Sequence, residues 1–232
     1  MTAKPRKKCL DRRWFVAGGL NVSALALAGC SVNPKIPTRT VQHSAQTDDR
    51  AYYETLYGAV PDEKFPLPAV PLKQVGSQFY RRKVPNETGE SAGTVIVDTQ
   101  TFYLYWTQED GSAMRYGVGL GKAGFAWSGE GVIQWKQEWP KWTPPAEMIE
   151  REPELERWSA ENGGMPPGLT NPLGARALYI FQNGKDTLYR IHGSSEAFSI
   201  GKAVSSGCVR LLNQDIIDLY NRVPTGAPMR VV

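Results

Sequence analysis

A mainly β domain is what this 232-residue sequence predicts, on three observations. Seven short stretches rich in β-branched and aromatic residues recur along it: GTVIVDT, TFYLYWT, AMRYGVGLG, GVIQWKQEW, RALYIF, TLYRIHG and MRVV. Polar or glycine-bearing turns separate them, which is the punctuation of strands. The clearest helical stretch is short and lies near the C-terminus, between Asn213 and the Pro224–Gly226 stop. A hydrophobic content of 41% suits one domain of ordinary size with extensions.

The N-terminus reads as an export signal. KPRKKCLDRR is a basic leader, and WFVAGGLNVSALALAG is an apolar stretch broken by Gly18, Gly19, Asn21 and Ser23. It falls short of the roughly 20 apolar residues that a spanning helix needs, so a signal peptide over residues 1–30 is expected. Arg12-Arg13-Trp14-Phe15-Val16 resembles a twin-arginine signal. Leu27-Ala28-Gly29-Cys30 resembles a bacterial lipobox, whose small residues admit a signal peptidase and whose thiol takes the lipid. The expectation is a lipid-modified Cys30 anchoring the chain by roughly 0.8 kcal/mol per buried methylene. Ser31, rather than Asp, after that cysteine points to the periplasm at the outer membrane of a Gram-negative bacterium.

Residues 31–75 read as a Pro-rich tether, punctuated by Pro34, Pro37, Pro61, Pro66, Pro68 and Pro71. DDRAYYETLYG within it suggests a short helix. The catalytic domain is then expected over residues 76–232. Charge excludes one class of partner. The leader holds six basic residues and one acidic; taking these from 27 and 23 leaves 21 basic and 22 acidic residues. A balanced remainder gives no basic face for nucleic acid.

Val97 to Thr101 suggests a hairpin between the first two strands. In TLYRIHG, strand alternation sets Leu188, Arg190 and His192 on one face, and Tyr189 and Ile191 on the other. His192 therefore ends a stiff strand. Residues 139–171 form a long insertion in which prolines and glycines forbid one continuous helix, leaving EMIERE and PELERW as helical turns. A segment of this length inside a compact domain is usually functional, and a lid or one wall of the substrate cleft is expected. After Cys208 a helix begins, with Asn213 as its expected N-cap and Leu212 and Ile217 at the spacing of a hydrophobic staple.

Chemistry concentrates in one place. Of three cysteines, Cys9 leaves with the signal and Cys30 takes lipid, so Cys208 is the remaining thiol. A leftover cysteine in an exported chain marks a reactive thiol. His192 is one of only two histidines. A cysteine attacks as thiolate, and its free pKa of roughly 8.5 leaves little thiolate at neutral pH. A neighbouring imidazole supplies the base. Gly207 lets the backbone turn tightly beside the sulfur. Alone, a Gly-Cys pair reads more readily as a small buried residue at a turn.

The string from His192 to the C-terminus carries more. His192-Gly193-Ser194, Ile200-Gly201 and Ser205-Ser206-Gly207-Cys208-Val209-Arg210 resemble the active-site end of the L,D-transpeptidase catalytic-domain family (YkuD-like). Ser206 stands where many members carry His. Trp142 to Pro145 and Asn171 to Ala175 also resemble segments of one branch of that family. The resemblance implies a sandwich-like, mainly β fold and acyl transfer on tetrapeptide stems of peptidoglycan. Cys208 would be the nucleophile and His192 the base, with the Gly193 carbonyl orienting the imidazole. Gly207 and Cys208 N–H groups would meet the oxyanion, and Ser205 would support the loop. Arg210 would bind a substrate carboxylate or brace the loop. The acyl acceptor would be a second stem, an outer-membrane protein or water. Two further readings are a carboxypeptidase or endopeptidase on the same site, and a non-catalytic wall-binding lipoprotein.

Competing motifs are weak. GVGLGKAG lacks the Walker order and a following helix. No Gly-x-Ser-x-Gly elbow and no His-Glu-x-x-His occurs, so neither a serine hydrolase nor a metal or cofactor is expected.

Overall fold

A twisted sheet of nine strands carries the molecule. The computed structural model describes residues 45–121, 129–205 and 207–232, which belong to one compact unit. The strands are β1 (Arg82–Pro85), β2 (Val95–Asp98), β3 (Tyr103–Thr107), β4 (Ser112–Gly117), β5 (Leu120–Gly121), β6 (Gly129–Glu138), β7 (Arg176–Gln182), β8 (Lys185–Ser194), β9 (Ala203–Ser205), β10 (Val209–Leu212) and β11 (Ala227–Val231). The helices are α1 (Ala45–Leu56), α2 (Ala146–Arg151) and α3 (Asn213–Arg222). The large sheet runs β1-β4-β3-β2-β11-β6-β7-β8-β10, and β5 pairs separately with β9.

Local chemistry explains the turns. Asp98 accepts hydrogen bonds from the N–H groups of Gln100 and Thr101, which folds the β2–β3 hairpin. Asn183 and Gly184 have φ of 51° and 74° and form the two-residue turn from β7 to β8. Beyond β4, Gly119 exchanges two backbone hydrogen bonds with Arg210, which ties the β4 side of the sheet to β10. The sheet thus wraps a shared core in which Val97, Leu104, Tyr116, Ile133, Leu178, Ile191 and Leu211 meet Ile216 and Leu219 of α3. Each such fully buried aliphatic side chain stabilises the fold by roughly 1.5–3 kcal/mol.

The N-terminal segment departs from the tether expected up to residue 75. Tyr57 and Val75 are buried with Ala197, Ile200 and Leu212. Leu67 is buried with Trp139 and Ala175. Gln214 of α3 donates to the carbonyls of Gly58 and Pro68 at 3.1 and 3.0 Å. Glu63 accepts from Arg176 at 2.6 Å and from the Trp139 indole at 2.8 Å. From α1 onward the segment is a strap, tied to β7 and α3 by Arg176 and Gln214, whose isolated aromatic and aliphatic residues pack on Ala197, Ile200, Leu212, Trp139 and Ala175.

The insertion is tied at its base. Trp142 and Met165 exchange backbone hydrogen bonds at 3.0 and 2.7 Å. The Asn171 side-chain amide donates to the carbonyls of Pro140 and Pro166 at 3.1 and 3.0 Å. Between these ties lie α2 and a 3-10 turn, Pro153–Trp158, at the two helical turns expected.

Two details of α3 correct the sequence reading. Leu212, not Asn213, is the N-cap residue. The Asn213 side-chain oxygen accepts instead from the Ala175 N–H at 2.9 Å. Leu212 and Ile217 lie in different apolar clusters rather than forming a staple. A tertiary contact has taken both residues from their local roles.

Candidate active site

The parallel pairing of β10 with β8 builds the site. Val209 lies opposite Ile191, Arg210 opposite His192 and Leu211 opposite Gly193. Strand alternation points Ile191 and Leu211 into the core and sends His192 and Arg210 to the opposite face. Cys208, one residue before β10, shares the face of Arg210. The register sets His192 beside Arg210 with Arg190 on the same face of β8, and the Cys208 thiol meets the Arg190 backbone N–H. Alternation holds at Arg190 and His192 but fails at Leu188, which has φ of 63° and is 71% exposed.

His192 is 3% exposed, and its Nδ1 lies 2.7 Å from the Gly193 carbonyl oxygen. With Nδ1–H donating, Nε2 is left as acceptor. Glycine is required at 193, because a Cβ would run into the Asn213 side-chain oxygen and Ile216 of α3. Gly207 has φ of 139°, a conformation that excludes a side chain. Cys208 is partly exposed. Leu211, Leu212 and Ile216 are buried just after it, so the loop bearing the thiol leads directly into the core.

Burial pushes His192 down to about 4; the Gly193 hydrogen bond opposes this, and the charges of Arg210 and Arg190 add to it. Burial pushes the Cys208 thiol up, against the Arg190 backbone N–H and the charges of Arg190 and Arg210. Both shifts favour the neutral forms, thiol and imidazole, and the charges of Arg190 and Arg210 favour negative charge on sulfur.

Both arginines are held. Arg190 forms a two-pronged pair with Asp186 at 2.7 and 2.8 Å. Arg210 donates to Glu196 at 2.6 Å, and Glu196 precedes the 3-10 turn Ala197–Ser199. Of the roles open to Arg210, bracing has a partner in Glu196. The pairs with Asp186 and Glu196 were not legible in the sequence. The position of Arg190 was, since alternation set it on the face of His192. Ser205 lies in β9, and Ser206 and Cys30 lie outside the described residues.

A cavity of 660 Å³ lies at the other end of the sheet, lined by Val84, Ile96, Tyr105, Arg115 and Arg230 among others, and holds none of the expected site residues. Among the described residues, no group of His, Cys, Asp and Glu is placed to hold a metal ion. No helix among them is long and apolar enough to cross a membrane.

The model of the L,D-transpeptidase catalytic domain (YkuD) matches residues 92–231. The chain belongs to that family. An Escherichia coli K12 protein described as probable L,D-transpeptidase ErfK/SrfK is 33% identical over 141 residues, covering 60% of this chain and 43% of its own. Probable L,D-transpeptidase YbiS of the same organism is 34% identical over 145 residues, covering 60% and 44%. The chain matches less than half the length of these relatives. A solved structure from Brucella melitensis, described as a probable carnitine operon oxidoreductase, is 40% identical with a TM-score of 0.48. It covers 68% of this chain and 96% of its own, and its description is of that chain. In this L,D-transpeptidase domain the match begins at residue 92, so the strap lies outside it and the His192–Cys208 face inside it.

Proposed function

We propose that this chain is a cysteine-dependent L,D-transpeptidase that acts on tetrapeptide stems of peptidoglycan. The observation that carries the reading is the β8–β10 register, which supports a Cys208–His192 pair on one face beside two held cations. The sulfur adds to the carbonyl carbon of the third stem residue, meso-diaminopimelate. Its proton passes to His192 Nε2, and the carbonyl π pair becomes an oxyanion facing the N–H groups of Gly207 and Cys208. Collapse restores the carbonyl and breaks the C–N bond, and Nε2 returns the proton to the departing D-alanine amine. An acceptor amine then resolves the Cys208 thioester. A second stem yields a cross-link, an outer-membrane protein yields a wall tether, and water yields trimming.

Arg190 and Arg210 favour the charge that develops on sulfur and oxygen while keeping the resting imidazole neutral. Incubation with a disaccharide tetrapeptide should release one D-alanine and leave an acyl group on Cys208, visible by intact mass. No D-alanine release by folded protein, or equal release by Cys208→Ala, overturns the reading.

The chain is proposed to work in the periplasm, held to the outer membrane by lipid on Cys30. Cys30→Ala should move it from the membrane fraction to the soluble fraction. A wild-type chain that is soluble, with an unmodified N-terminus elsewhere, would contradict this.

A further inference from the structure

Three consecutive strands each contribute one side chain to a row that ends at the nucleophile. Trp135 of β6 is the register partner of Tyr179 of β7, and Tyr179 is the partner of Arg190 of β8. Continuing the β8–β10 pairing by one residue sets Cys208 beside Arg190. The Trp135 and Tyr179 rings lie 4.2 Å apart at 32°, and the Arg190 guanidinium carbon lies 4.3 Å from the Tyr179 centroid. Tyr179 is thus held between a cation and an indole, and its hydroxyl donates to Gln137 at 3.2 Å. A shift in register between Ile133 and Trp135 turns the indole out of the core. Ile133 is fully buried, whereas Trp135 is 50% exposed.

A lone exposed apolar residue needs no explanation. Trp135 is not alone: it is the open end of a braced shelf that runs to the thiol. The Arg190 guanidinium in the shelf is held by Asp186 through two hydrogen bonds, which leaves the indole as the exposed end. Such a surface suits a neutral ring that presents C–H bonds, whose positive edge meets the negative face of the indole.

Distance selects the ring. Strands lie roughly 4.8 Å apart, so three steps put Trp135 about 14 Å from the sulfur. Three stem residues cover roughly 10–11 Å at about 3.3–3.6 Å each, and the lactyl group that joins the stem to its sugar adds about one residue's length more. A donor stem acylating Cys208 through its third residue therefore brings the sugar that bears it to the level of Trp135.

We infer that Trp135 is a specificity residue that stacks on the amino-sugar ring of the glycan carrying the donor stem, with Tyr179 and Arg190 as its support. The inference rests on the transpeptidase reading. It makes glycan-linked stems better donors than free peptide.

The test is D-alanine release by the full chain from a disaccharide tetrapeptide and from the free tetrapeptide. Wild type should favour the disaccharide donor in kcat/KM by about tenfold, the upper range of a stacking contact. Trp135→Ala should bring the ratio of the two donors close to one, chiefly through KM, and Trp135→Phe should restore part of it. Circular dichroism checks the fold of each variant. A wild type that is active but indifferent to the sugar, or a Trp135→Ala that keeps the preference, overturns the inference alone. A folded wild type that releases D-alanine from neither donor overturns the functional reading, and the inference with it.

Discussion

His192 in β8 and Asp215 in α3 are both buried titratable groups, and burial moves them in opposite directions. His192 is pushed down to about 4 and Asp215 up to about 7. Their neighbours differ. At His192 the arginine charges add to the effect of burial. At Asp215 the neighbours mostly resist it: Arg81 and the Tyr57 hydroxyl favour the carboxylate, and Asp218 disfavours it. Arg81 fails to win because its Nη1 lies 3.7 Å from Asp215 but 3.3 Å from Asp218. Asp215 Oδ1 is left buried without a hydrogen bond. The His192 face thus keeps its imidazole neutral with every neighbour but one in agreement. The strap face keeps an acid near its tipping point and should lose stability as pH rises, whereas the depressed His192 should lose it as pH falls.

Removing the proposed nucleophile should make the largest difference between the faces. Cys208→Ala should abolish acylation, including the one-to-one adduct expected with a carbapenem, while thermal unfolding stays near that of wild type. An adduct on Cys208→Ala in intact mass spectra would remove Cys208 from its role.

The reverse pattern is expected at the strap. Tyr57 is fully buried, donates to Asp215 at 3.2 Å and accepts from the Arg81 N–H at 2.6 Å. Tyr57→Ala should cost about 3–5 kcal/mol in urea unfolding. A cost below about 1 kcal/mol would mean that the strap does not hold the domain.

These contrasts mark what the sequence could disclose. Cys208, His192, Gly193 and Gly207 stand out in the sequence because the proposed chemistry requires those residue types and they fall within one short string. Most strands were legible from alternating aromatic and β-branched residues. The strap was not, since Tyr57, Leu67 and Val75 are single anchors spaced by prolines and show no period. Nor was the role of Asn213, whose side chain serves Ala175 across the fold rather than its own helix.

Asp215 sharpens the comparison through pH. Its folded pKa, about 7, lies above the ordinary 3.8. The folded state therefore holds a proton that the unfolded state has lost, and stability falls as pH rises between those values. Asp215→Asn should remove that contribution, up to about 2–4 kcal/mol between pH 4 and pH 8, and leave the opposite dependence of His192. Unfolding midpoints at several pH values check this, and an unchanged slope would place the titration elsewhere.

The central claim is that a neutral His192 is the base for a neutral Cys208 thiol. The measurement that meets it most directly is kcat/KM for acylation against pH, for wild type and His192→Gln. A base held near 4 stays unprotonated above that value, so wild type should lose activity only as pH falls through about 4. His192→Gln should be slower by roughly 10² to 10⁴ at neutral pH and should climb as thiolate forms unaided at high pH. A folded His192→Gln with the wild-type profile would contradict the account.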